Sequence, residues 1–118
     1  MNSKALAHKI AHLGLEKKGK QVAVLDLNEL TSFSDYFVII SGESDAQIKA
    51  IYEHIIKNLS QENIKMYHQE GLQNLRWVLL DYVDVIVHIF RPESREFYGL
   101  ERLWGDAKME LLLEEDGR

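Results

Sequence analysis

Asp81 and Asp84 flank a short break between two apolar runs, and two carboxylates so placed could hold a divalent metal. Metal-dependent nucleotidyl transfer asks for more: carboxylates alternating on one strand face, behind a Gly-Ser turn. The strand end here reads Ser41-Gly42-Glu43-Ser44, with no lysine and with a glutamate that would repel phosphate. Asp is also common in turns, where its carboxylate bonds nearby backbone N–H groups, so the two aspartates read as turn residues. His8 and His12 lie four apart on a helix, but zinc needs three or four ligands and neither a cysteine nor an HExxH accompanies them. That pair reads as a solvated helix face, and His54 and His68 stand alone. With no G-x-S-x-G, P-loop or G-x-G-x-x-G and no cysteine, the sequence predicts no catalytic residue, metal or cofactor. A divalent-metal-dependent nucleotidyltransferase is the alternative kept beside a binding protein.

Bulk composition points the same way. A chain of 118 residues, 46% hydrophobic and 28% charged, is expected to form a single domain over 1–118 with a frayed tail at 114–118. A net charge of −5 disfavours tight nucleic-acid binding, which depends on Lys and Arg neutralising phosphates. An acidic surface better suits a basic protein partner. No apolar run approaches the roughly 18 residues of a membrane span, and His8, Lys9 and His12 interrupt what would be the apolar core of a signal peptide. The expected location is the cytoplasm, without membrane or sequence-specific nucleic-acid contacts.

The elements that must position any site follow from periodicity. Ser3 to Lys18 reads as a helix, with Leu6, Ile10 and Leu13 on one face and Gly19 as its stop. Gln21–Leu27 and Asp35–Ser41 read as strands, the second apolar enough to be buried on both faces. Ser44 and Gln47 form a capping box opening a helix to about Ser60, with Ile48, Ile51, Ile55 and Leu59 on its apolar face. Ile64–His68 is a short strand, Gly71 to Asn74 a turn, and Arg76–Asp81 and Asp84–Phe90 a hairpin. Pro92 suits a first helical turn, which predicts a last helix over Glu93–Trp104. The class is α/β, a mixed sheet of about five strands with helices packed on it.

With the hairpin turn centred between Tyr82 and Val83, Asp81 faces Asp84, Leu79 faces Ile86 and Trp77 faces His88. One face carries Val78, Leu80, Val85, Val87 and Ile89 and is core. The other carries Trp77, Leu79, Ile86, His88 and Phe90. It is either a second core layer with His88 hydrogen-bonded inside or an aromatic docking surface. Spacing alone favours the covered layer. Val83 is β-branched and unsuited to the positive φ of a tight turn, so a longer loop is expected. In the last helix Phe97, Leu100 and Trp104 form one stripe, while Tyr98 lies with Arg95 and Arg102 on the polar side.

The stretches DYFVIISGESDAQIKAI (Asp35 to Ile51), Glu70-Gly71, WVLLDYVDVIVHIF (Trp77 to Phe90) and SREFYGLERLWGDA (Ser94 to Ala107), in that order, resemble the ribosomal silencing factor family, also called Iojap-like proteins. The resemblance covers nearly the whole chain and departs from the family pattern at Val83, where glycine is expected. It implies a nucleotidyltransferase-like α/β topology without that fold's chemistry. It also implies a translational repressor that acts when nutrients are short. Such a protein binds the fourteenth protein of the large ribosomal subunit and sterically blocks joining of the small subunit. The resemblance reverses the preference on the hairpin face. Trp77, His88, Phe90 and Tyr98 become the expected contacts, with Leu79 and Ile86 as apolar support and Asp81, Asp84 and Glu101 facing basic groups of the partner. Off the ribosome, the same face is expected to pair with its twin as a homodimer.

Overall fold

The computed structural model describes residues 2–30, 32, 34–93 and 107–112. The elements are α1 (Ser3–Glu16), β1 (Lys20–Asp26), β2 (Tyr36–Ser41), α2 (Asp45–Gln61), β3 (His68–Glu70), β4 (Trp77–Asp81), β5 (Val85–Phe90) and β6 (Lys108–Leu112). The strands form one six-stranded sheet in the order β3-β4-β5-β2-β1-β6. Its central pair, β2 with β5, is parallel, and the other pairs are antiparallel. The mixed α/β sheet is the expected one, with one strand more than expected. The predicted last helix, Glu93–Trp104, lies, apart from Glu93, outside the described residues.

Both helices cover the same side of the sheet. Leu6, Ala7, Ile10 and Leu13 of α1 and Ile48, Ile51, Ile55 and Leu59 of α2 share one core with Val38, Ile40, Val78, Leu80, Val85, Val87 and Ile89. The apolar face assigned to the hairpin from alternation is thus the helix-facing core. The two helices are also pinned end to end. α1 closes with Lys18 in the left-handed region (φ 68°), Gly19 N–H donating to the Gly14 carbonyl and Lys18 N–H to that of Leu15. Gln47 Nε2 then donates to the carbonyls of Lys18 (2.9 Å) and Lys17 (3.2 Å), groups that a helix end leaves without partners. Ser44 Oγ accepts from Gln47 N–H as the capping box requires. The return bond differs: Gln47 Oε1 accepts from Glu43 N–H, one residue before the cap. The side chain is drawn aside because its amide serves α1 at the same time.

Three expectations need correction. β3 begins at His68 rather than ending there, because its pairing with β4 starts as Tyr67 N–H reaches the Asp81 carbonyl. β6 had no counterpart in the sequence reading. Met, Glu and Leu are strong helix formers, yet here Lys108–Leu112 pairs residue by residue with β1, so tertiary pairing overrides propensity. The hairpin is shifted by two residues: Trp77 faces Phe90, Leu79 faces His88 and Asp81 faces Ile86. An even shift preserves the faces.

The shift traces to the tip. Three residues, Tyr82 to Asp84, separate the strands, so the loop is longer than two residues as expected; yet Val83 does take a positive φ of 74°, and Asp84 N–H donates to the Tyr82 carbonyl, closing a three-residue γ-turn of the strained hand. Asp81 Oδ1 supports it by accepting from Val83 N–H at 2.7 Å. The Asp84 carbonyl accepts from Asp35 N–H, Tyr36 N–H and the Ser34 hydroxyl, fixing the start of the parallel pair.

Two measurements follow from these details. Val83 is 55% exposed, so glycine there loses little packing. Relief of a left-handed β-branched residue is worth about 1–2 kcal/mol and is partly offset by glycine's greater unfolded-state freedom. Val83→Gly is therefore expected to raise unfolding free energy by about 1 kcal/mol in urea titration; a loss of stability contradicts the strained turn.

The second measurement concerns β6. His8 Nε2 lies 2.8 Å from Glu110 Oε1, and its Nδ1 lies 2.9 Å from the Lys4 carbonyl. Two acceptors are both satisfied only by an imidazolium. The Glu110 carboxylate first, and then the Lys4 carbonyl, raise the His8 pKa above 6.5. A raised histidine pKa contributes stability that is complete below the unfolded value and lost as pH rises through the folded one. The pair is largely solvent-facing, so its contribution is about 0.5 kcal/mol. Urea titrations of the parent and Glu110→Gln are expected to differ at pH 6 and to converge by pH 9. An equal difference at both pH values rules out the titrating pair.

Candidate functional site

The second face of the sheet carries the residues singled out in the hairpin. Period-two alternation on β4 and β5 sends Trp77, Leu79, Ile86, His88 and Phe90 away from the helices, and the parallel pairing with β2 sets Phe37 opposite Ile86 and Ile39 opposite His88. A separate apolar cluster forms there from Ala23, Leu25, Leu27, Ile39 and Phe90, with Phe37, Trp77 and Ala107 packed at its margin. Among the described residues neither helix contributes to it. Phe37 escaped the sequence reading because DYFVIIS is apolar at nearly every position, so alternation cannot say which side chains share a face.

The two readings of this face each hold for part of it. His88 is 4% exposed and Phe90 0%, whereas Trp77, Leu79, Ile86 and Phe37 are half-buried. In this conformation His88 and Phe90 therefore lie behind the surface, and Trp77, Leu79 and Ile86 form its accessible part. The rings pack as a group. The Phe37 and His88 centroids are 4.5 Å apart edge to face, Trp77 and Phe90 5.0 Å apart, and His88 stacks parallel to Phe90 at 6.1 Å. Gly71, at φ +82°, backs onto β4: a Cβ there would lie 2.0 Å from the Trp77 carbonyl oxygen, so only glycine allows the backbone of Trp77 this position.

One hydrogen bond organises the rings. Trp77 Nε1–H, which can only donate, points at His88 Nδ1 at 3.0 Å. His88 must therefore keep Nδ1 unprotonated and carry its proton on Nε2. Burial pushes its pKa down to about 4, so the ring is neutral at physiological pH. Among the described residues Nε2 itself is buried without a hydrogen-bond partner, a desolvation cost of about 1–3 kcal/mol.

The carboxylates do not gather into a metal site. Asp81 caps the turn through Val83 N–H, and Asp84 is exposed at the hairpin tip with its carbonyl bonded to the start of β2. His8 and Glu110 pair across from α1 to β6, and no group of three or more His, Asp and Glu able to hold a metal occurs among the described residues. On the helix side, a groove of about 350 Å³ is lined by Ile56, Ile64, Met66 and Tyr82 with Ser60, Asn63 and Lys65, and it offers no carboxylate. No helix among the described residues is long and apolar enough to cross a membrane. Tyr98 and Glu101 lie outside the described residues.

The likeness to known proteins covers the whole arrangement. The family model for the ribosomal silencing factor during starvation matches residues 1–117. A Bacillus subtilis protein named ribosomal silencing factor RsfS is 37% identical over 109 residues, 92% of each chain. The chloroplast protein Iojap of Zea mays is 32% identical over 103 residues, which is 87% of this chain and 45% of that one. A crystal structure of a Chromobacterium violaceum protein superimposes with a TM-score of 0.83 at 32% identity, covering 96% of this chain and 94% of that one. Sequence likeness over nearly the full length and a shared fold agree: the chain belongs to the ribosomal silencing factor, or Iojap-like, family.

Proposed function

We propose that this protein represses translation by docking the Trp77 face of its sheet on the fourteenth protein of the large ribosomal subunit, where its bulk blocks joining of the small subunit. The observation that carries this reading is the half-buried Trp77, oriented by His88 on a sheet face to which neither described helix contributes. Aromatic anchors with few rotamers bury much area at low entropic cost, and such residues dominate interface energies. Leu79 and Ile86 flank Trp77 and give it apolar support, while His88 and Phe90 act from behind. Asp81 and Asp84 stand at the hairpin end, where an acidic protein of net charge −5 meets Lys or Arg of a basic partner. The family resemblance adds Tyr98 and Glu101 as further proposed contacts.

Steric occlusion needs no catalytic residue, so the protein works as a cytoplasmic binding factor and not as an enzyme, with 1–118 acting as one domain. Freed from the ribosome, an apolar face of this kind pairs with a second copy. Light scattering is expected to give a mass rising from monomer to dimer with concentration; a constant monomer mass removes that part of the proposal.

Docking itself is tested by sedimentation. Truncating a central aromatic anchor costs about 2 kcal/mol, or roughly thirty-fold in affinity. The purified protein is expected to co-sediment with large subunits and lower the fraction of joined ribosomes, and a folded Trp77→Ala variant to do neither at the same concentration. Unchanged co-sedimentation by that variant would remove Trp77 from the contact.

A further inference from the structure

We propose that His88 is a positioning residue: its buried Nδ1 holds the Trp77 indole in the orientation that a partner meets, and the histidine is present for that acceptor rather than for packing. The inference rests on the docking face proposed above. Its ground is an imbalance in how the two ring nitrogens are treated. Nδ1 accepts from Trp77 Nε1–H at 3.0 Å, while Nε2–H is shut away from solvent with no acceptor among the described residues. An apolar side chain would fill the same space between Phe37 and Phe90 without leaving a buried donor unmet. What an apolar side chain cannot supply is a lone pair facing the indole. The indole is only half-buried and sits beside Phe90. Without the acceptor the indole N–H loses its hold on β5 and is open to water, and the orientation of the ring is less tightly set. A positioned aromatic loses less entropy on binding than one that must be ordered first.

The position also explains why the histidine stays in one form. Strand pairing sets Leu79 and Ile39 on either side of it, and the described neighbours that meet its ring are aromatic. Nothing charged among them favours an imidazolium, so the single neutral tautomer and the indole bond persist together.

The test uses the full chain in two stages. Nitrogen-15 NMR of the free protein at pH 7 is expected to show His88 with Nδ1 unprotonated and Nε2 protonated; the opposite tautomer overturns the proposal without any variant. His88→Leu is then expected to melt no lower than the parent while the Trp77 indole N–H exchanges at least ten-fold faster, with the signal assigned through Trp77→Phe. His88→Gln, whose amide oxygen can accept, is expected to restore slow exchange. Parent-like indole exchange in His88→Leu also overturns the proposal. In large-subunit co-sedimentation, His88→Leu is expected to bind at least several-fold more weakly and His88→Gln to recover. If the parent protein fails to co-sediment, the docking reading is lost, while tautomer and exchange still decide the role of His88 in the free chain.

Discussion

Parallel strands cannot be joined by a tight turn, so the pairing of β2 with β5 at the middle of the sheet dictates where everything else must go. The chain leaves β2, crosses one face as α2, and returns through β3 and β4 before it can lie beside β2 as β5. Both central strands are then covered on the helix side by α1 and α2, and their other side must find different company. The start of the pair is fixed by one carbonyl, that of Asp84, which takes donors from Ser34, Asp35 and Tyr36. To deliver that carbonyl, the hairpin turns tightly at Val83, a residue poorly suited to the conformation. Strain at the tip and order at the centre are thus two ends of one constraint.

That constraint also builds the face opposite the helices. Parallel register brings Phe37 and Ile39 beside Ile86 and His88, and antiparallel register brings Trp77 and Leu79 against Phe90 and His88. Aromatic rings from three strands therefore converge on one imidazole. The result is graded burial: Phe90 and His88 inside, Trp77 at the margin with its indole N–H directed inward. A wholly buried cluster would be core, and a wholly exposed one would invite indiscriminate association. The intermediate case gives a surface whose shape is set before a partner arrives.

Much of this was legible in the sequence because helix faces and strand alternation are local signals. The apolar stripe of α2, the cap at Ser44 and the two faces of the hairpin follow from side-chain spacing alone. What escaped depends on contacts between segments distant in sequence. β6 is built from helix-favouring residues and is a strand only because β1 offers an edge. The register slipped by two because spacing does not reveal that Val83 will accept a positive φ. Burial of His88 and Phe90 beside an accessible Trp77 was invisible for a similar reason. Alternation assigns a residue to a face but says nothing of what lies over it. Family resemblance filled part of that gap by pointing to docking, yet it treated the ring residues alike, where the structure sets two of them behind the third.

Site-specific photocrosslinking addresses the docking claim most directly. A photoreactive amino acid placed at Leu79, half-buried beside Trp77 on the face opposite the helices, would be irradiated with purified large subunits and the product identified by mass spectrometry. A dominant crosslink to the fourteenth protein of the large subunit is expected, and little product from the same probe at the exposed Tyr67 beside the β3 edge. A dominant crosslink to a different ribosomal protein, or equal yields from both positions, would contradict the docking claim.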